Sequence, residues 1–310
     1  MTRAVLLMAY GSPLGPEDVE RYYTHIRHGR PPSEAELQEL AGRYAAIGGV
    51  SPLAQITERQ AAALEAELRR GNTSSPLKVY LGLKHSPPFI GDAVRQMAED
   101  RVEEAVALVL APHYSAMSVG TYLDEAEGAI EALGRPLVLR PVKSWAQHPG
   151  LIALLAERVT EAFGRFSAKE REHLPVIFTA HSLPTRIVAE GDPYPQELQK
   201  TGDLVAQRLE LAEYTFAWQS AGRTREPWLK PDILEKLTMM AENGYRQALV
   251  CPAGFVADHL EVLYDLDIQA QRHARSLGLH MERTRSFNDD PAFIAVLADI
   301  VRSAWGEATS

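Results

Sequence analysis

The sequence predicts an α/β protein built as two similar parallel-sheet halves with a cleft between them. Three observations predict it: short apolar runs alternate with helical patterns, the first half is echoed in the second, and polar clusters recur at strand ends. Eight apolar runs read as buried parallel strands, at 4–9, 78–83, 105–110, 137–141, 176–180, 214–219, 247–251 and 279–284. Between them, 34–46, 56–70, 90–99, 121–133, 151–163, 197–209 and 232–243 carry helical spacing. Strands alternating with helices build parallel sheets. Eight strands also fit a closed (β/α)₈ barrel, and the echo is what favours two sheets.

The echo has three parts in the same order. AVLLMAYGSP near the start parallels PVIFTAHSLP at 175–184: a strand, then Ala, a ring-bearing residue, a small residue and a proline. The second strand of each half ends in a polar cluster, LGLKHSPP and FAWQSAGRTREPW. The third pair is VLAPHYSAMSVGTYLDEA against LVCPAGFVADHLEVLYDL, in which a strand exits at a proline and a helix follows. Open α/β sheets bind ligands beyond the carboxyl ends of their strands. All of these clusters lie there, so the interlobe cleft is the expected site.

Bulk properties narrow the function. The 310 residues are 45% apolar and 24% charged, as in a folded globular chain with an ample core. A formal charge of -9 argues against nucleic acid as a partner, yet suits a divalent cation. Cys251 is the only cysteine, which excludes an intrachain disulfide, a cysteine-built zinc site and a protein-held iron–sulfur cluster. No apolar run approaches the roughly 20 residues of a membrane-spanning helix. The opening MTRAVLLMAYGSP breaks at Tyr10-Gly11-Ser12-Pro13, and reads as a first strand rather than a signal peptide, so a cytoplasmic protein is expected. The tail at 306–310 is expected to fray.

Two residues carry the candidate chemistry. His181 follows an apolar strand; an ordinary strand-end histidine is merely hydrogen-bonded, but at a crevice floor an imidazole can ligate metal or accept a proton near neutrality. Glu261 lies in FVADHLEVLYDLD with Asp258 and Asp265. On a helix Glu261 and Asp265 share a face, with Asp258 one turn earlier, and carboxylates among so many apolar neighbours need cations to offset desolvation. An acidic line leading to a histidine is expected to be a path for metal.

At these residues the chain resembles the ferrochelatases, most closely the monofunctional coproporphyrin ferrochelatases of Gram-positive-type bacteria. The resemblance rests on MAYGSP, ERYYTHIRHGRPP, RYAAIGGVSPLAQIT, GLKHSPPFIGDAV, LAPHYSAMSVGTY, AHSLPTRIVAEGDPYP, WQSAGRTREPWLKPDI and PAGFVADHLEVLYDLD, which run in order from Met8 to Asp267. It implies two Rossmann-like halves, each a four-stranded parallel sheet flanked by helices. The lobes are expected at 1–143 plus 287–310, with the last helix returning to the first lobe, and at 144–286. It implies that His181 and Glu261 are the metal-binding and catalytic pair, and that Tyr10 approaches the metal from the opposite face. Arg27, Arg43, Tyr44, Ser51 and Tyr122 match positions that hold the porphyrin's propionates and rim, Lys84 and His85 a further cleft cluster, and Trp228 a wall. Guanidinium forks suit carboxylates.

Gln269 departs from the family pattern, standing where the best-known relatives extend the acidic line for a secondary magnesium or zinc ion. His28 stands where close relatives often carry a second arginine. The implied reaction is insertion of Fe2+ as substrate into coproporphyrin III, without a tightly bound organic cofactor. A monomer is the default, and family pathway logic implies a transient contact with a decarboxylase. The alternatives are a protoporphyrin IX enzyme, a chelatase for a sirohydrochlorin-type ring, and a non-catalytic porphyrin or heme binder.

Overall fold

The computed structural model describes residues 2–70, 77–222 and 224–306, so all but the first residue of the expected frayed tail lies outside the described residues. Eight strands form two separate sheets: β1 (Arg3–Ala9), β2 (Lys78–Leu83), β3 (Glu104–Val109), β4 (Val138–Val142), and β5 (Val176–His181), β6 (Tyr214–Gln219), β7 (Gln247–Cys251), β8 (His280–Arg283). Their orders are β2-β1-β3-β4 and β6-β5-β7-β8, and every pair is parallel. The two orders are one order written twice. The two-sheet expectation holds, and strand limits differ from it by a residue or two, the usual uncertainty at element ends.

Alternation along each strand explains the layers. Val5 and Leu7 of β1 enter a core shared with Val176 and Phe178 of β5, whereas Ala4, Leu6 and Met8 face a second core under helices Ile90–Glu99 and Thr121–Leu133. Ile177, Ala248 and Val250 face a third, beneath helix Ile233–Glu242. Helices Leu53–Arg69, Pro149–Phe163 and Tyr194–Leu209 fill the shared layer between the sheets. The last helix, Pro291–Ala304, packs on Leu53–Arg69 and on Pro149–Phe163. Helix Val19–Ile26, the stretch VERYYTHI, is not among the expected helices; it is short, and only its Val19 and Tyr22 are buried.

One expectation needs correction. The stretch after β7 is not one regular helix. It runs as a short turn Leu260–Leu263, a π-helical segment Asp265–Ala270 and an α-helical turn Gln271–Ser276. Asp258 precedes that turn and does not join an acidic face. Its carboxylate accepts from Arg283 (3.3 Å), Ser286 (2.8 Å) and Asn288 (2.9 Å), which fasten the loop in front of the last helix. Asp267 likewise pairs with Arg283 at 2.6 Å.

Candidate active site

In a sheet of this order the chain leaves the first strand toward one edge and the third toward the other, opening a crevice at their carboxyl ends. In the second half that crevice lies between β5 and β7. Pairing of β5 with β7 stops at Phe178–Cys251, while pairing with β6 continues to His181–Gln219. The end of β5 therefore projects past β7. The loop leaving β7 crosses it at Gly254, whose N–H donates to the Thr179 carbonyl at 3.0 Å. A β-carbon at Gly254 would stand 2.5 Å from that of Ala180, so only glycine lets the loop pass so close.

This crossing delivers Glu261 to His181. The imidazole Nδ1 donates to the Ser182 carbonyl, which aims Nε2 at the carboxylate, and Nε2 lies 3.5 Å from Glu261 Oε1. The other carboxylate oxygen is 3.7 Å from Nε2 of His259, whose Nδ1 is fixed on the Ala257 carbonyl at 2.9 Å. Buried Gln219 ties the two strands' ends together: its side chain accepts from Thr179 at 2.8 Å and donates to the Glu261 carbonyl at 2.9 Å. Burial opposes charge on both members of the pair, but each is the other's counter-ion. Against burial, Glu261 raises the His181 pKa, and His181 with His259 holds Glu261 well below the usual carboxylate range.

Asp265 is the one other carboxylate of the expected line that reaches this region. Burial and the Glu261 charge push its pKa up to about 6, offset in part by the Ser220 hydroxyl at 2.5 Å and by Arg43 at 3.7 Å. Arg43 also pairs with Glu39 and lies over the Tyr264 ring, 5.2 Å from its centroid. Among the described residues no group of three or more His, Cys, Asp or Glu side chains is arranged to hold a metal. His181 and Glu261 thus form an open pair, able to hold an ion in passing and to leave its other positions free.

The facing half carries different groups at the matching exit. Tyr10 follows β1, is 42% exposed, and stands edge-on to His85 at 4.5 Å between centroids. His85 and His25 hydrogen-bond through Nδ1 atoms 3.0 Å apart, and burial together with Lys84 pulls the His85 pKa down to about 3. Lys84 bonds the Thr121 hydroxyl and lies 4.6 Å from the centroid of buried Tyr122; burial lowers its pKa. Tyr44 is buried, and its pKa is raised by burial and by the Glu261 charge. A cavity of about 320 Å³ lies beside the His25–His85 pair, lined by Ser12, Tyr22 and Phe89 but not by His181 or Glu261.

The remaining candidates are spread along the walls. Trp228 lies 6.4 Å from the His181 ring and donates to Thr224. Ser51 accepts from the Leu53 N–H at a helix start, at 3.2 Å. Arg27 is paired with Glu36 at 2.6 Å, so a ligand carboxylate would have to compete with that partner. Two contributors went unnoticed in the sequence. His259 is two residues from Glu261, a spacing that shares no helix face, and it reaches the carboxylate because its backbone is extended (φ -155°, ψ -177°). Gln219 was visible only as one member of a polar cluster.

Comparison with known proteins gives the family. The ferrochelatase family model matches residues 2–305. The chain belongs to the ferrochelatase family. Among ferrochelatase relatives, it is 49% identical over 298 residues to the coproporphyrin III ferrochelatase of Anoxybacillus flavithermus, covering 96% of this chain and 94% of that one. It is 48% identical to the ferrochelatase of Thermus thermophilus, covering 97% and 99%. A solved sirohydrochlorin chelatase, SirB from Bacillus subtilis subspecies spizizenii with cobalt, superposes with a TM-score of 0.59 over 98% of this chain and 95% of that one. At 13% identity it shows the shared two-sheet fold alone. No helix among the described residues is long and apolar enough to cross a membrane.

Proposed function

We propose that the chain inserts Fe2+ into coproporphyrin III, with His181 and Glu261 acting on one face of the ring and Tyr10 on the other. The observation that carries this reading is the 3.5 Å approach of His181 to Glu261, produced by two separate strand exits of the second half. Full-length similarity to several coproporphyrin III ferrochelatases supports the substrate. In the reaction one Fe2+ replaces two pyrrole protons, so the protein must deliver a cation and remove two protons.

His181 Nε2 is the donor aimed into the cleft, and in its neutral form it binds incoming Fe2+ or takes a pyrrole proton. Glu261 stays ionised and holds the positive charge on whichever of ion or imidazolium is present. An imidazole–carboxylate set suits a borderline divalent ion. Tyr10, uncharged and exposed in the cleft, faces the ring from the first half without adding a charge that would repel the metal. Lys84, Arg43 and Arg27 supply cations for propionates, the last two in competition with Glu39, Asp265 and Glu36. Holding the ring by its rim lets binding energy act on the macrocycle's shape. We place the reaction in the cytoplasm, with a single chain as the working unit and no resident organic cofactor; a decarboxylase is the expected next partner.

The test is anaerobic metalation followed by absorbance, with coproporphyrin III and protoporphyrin IX compared as substrates. His181→Ala is expected to cut iron insertion by at least about 100-fold while coproporphyrin III still quenches the protein's fluorescence. Undiminished insertion in a folded His181→Ala protein would end the assignment, and a preference for protoporphyrin IX would end the substrate reading.

A further inference from the structure

We infer that Tyr194 and Asp192 are positioning residues that hold His181 in register with the opposite half of the cleft. The inference rests on the reading of His181 as the metal-facing residue. It concerns groups that touch neither the ring nor the metal in that reading.

His181 is the last residue of β5, beyond the reach of β7. A strand end without a neighbour on one side is free to twist, and its side chain swings with it. Here the Tyr194 hydroxyl donates to the His181 carbonyl at 2.9 Å. The tyrosine cannot wander, because its ring stacks on Trp218 at 5.6 Å and meets His113 edge-on at 6.2 Å. Its own N–H is taken by Asp192 Oδ1 at 3.0 Å.

The second oxygen of Asp192 crosses to the first half. It accepts from the Ser115 hydroxyl at 2.9 Å and from the Ala116 N–H at 2.8 Å, where the loop that follows β3 enters a short π-helical segment, Ala116–Gly120. Helix Tyr194–Leu209, which begins two residues after Asp192, makes two more ties to that loop. Glu197 accepts from the Tyr114 N–H at 2.7 Å, and Thr201 meets His113 Nε2 at 3.0 Å. Asp192 is 8% exposed and Ser115 fully buried, so water does not compete for these bonds.

A continuous chain therefore runs from the loop after β3, through Asp192 and Tyr194, to the backbone of His181. β3 is the direct neighbour of β1, whose exit carries Tyr10. The chain thus sets the first half's face of the cleft relative to the second half's histidine. Interlobe packing holds the halves together and pairing with β6 holds the strand, but neither ties the His181 backbone to the first half. The hydroxyl of Tyr194 is the part that adds orientation.

The experiment uses the full-length enzyme and three variants: Tyr194→Phe, Ser115→Ala and the double substitution. Tyr194→Phe keeps the ring and its stacking, and is expected to lower kcat/KM for the metal about five- to tenfold, with the coproporphyrin III dissociation constant within about twofold of wild type. Ser115→Ala removes one link in the other half and is expected to give a smaller loss of the same kind, about two- to fourfold. Because both act through one chain, the double variant should be no worse than Tyr194→Phe alone.

Metal kinetics within about twofold of wild type for Tyr194→Phe would overturn the proposal. So would equal losses in porphyrin and metal binding, or fully multiplying losses in the double variant. His181→Ala, measured alongside, separates the two readings. If it inserts iron normally, the catalytic assignment fails; if it is inactive while Tyr194→Phe is normal, only the positioning role fails.

Discussion

The exits of β1 and β5 are the same place in two copies of one sheet, yet they present opposite electrostatics. At the β1 exit stand Tyr10 and, arriving from the end of β2, His85, its imidazole kept neutral by burial and by Lys84. After β5 stands His181, its pKa raised by Glu261 against the pull of burial. The difference is what crosses the strand end. In the first half Gly11, at φ +86°, lets the chain turn down onto Ser86, and no carboxylate arrives. In the second, Gly254 lets the loop after β7 lie on β5 and bring Glu261 with it. One topology thereby supplies an uncharged tyrosine–imidazole wall at one exit and a charged pair at the other.

The sharpest way to break this contrast is to neutralise the pair. Glu261→Gln is expected to lower kcat for metal insertion by about 100-fold or more, the scale of losing a proton-transfer or charge-holding group. It also tests the sign of the His181 shift. On the proposal that His181 acts as a neutral imidazole, the wild-type rate should climb with pH through a pKa raised above that of a free imidazole. Without the Glu261 charge, burial dominates and the limb should move to lower pH. A limb that stays in place would show that His181 is not the titrating group.

Gly254→Ala attacks the crossing itself. The added methyl meets the β-carbon and backbone of Ala180, so a loss of about 1–3 kcal/mol is expected, read as a lower midpoint in chemical denaturation. Unchanged stability would mean that the loop shifts freely and that the crossing is not what fixes Glu261. The smallest effect belongs to the uncharged wall: Tyr10→Phe should change kcat/KM by less than about tenfold, because the ring remains and only a hydroxyl is lost. A loss as large as that of Glu261→Gln would mean that the two faces share the chemistry equally.

Much of this was legible in the sequence, for reasons that differ between elements. β1, β3, β5 and β7 are buried on both faces, so continuous apolar runs such as VLLMA and VIFTA revealed them, and the shared Ala–ring–small–Pro ending revealed the duplication. His181 and Glu261 stood out because polar groups at the ends of such strands need a reason. Spacing could not show that the segment after β7 is partly π-helical, nor that Asp258 serves the loop before the last helix. A carboxylate's partner is set by chains that arrive from elsewhere, here Arg283, Ser286 and Asn288. The same limit hid Asp192 and Tyr194, whose partners Ser115, Ala116 and His181 arrive from other parts of the chain.

The hydrophobic layer common to both sheets has a further consequence. Leu64, Leu151, Val205 and Leu297 belong to one buried cluster that takes in residues of both sheets, so neither half completes it alone. Cutting the chain between β4 and β5 would leave two fragments with wide greasy faces, prone to clump rather than fold. Heat or denaturant should accordingly melt the molecule in one sharp step, with both sheets lost together.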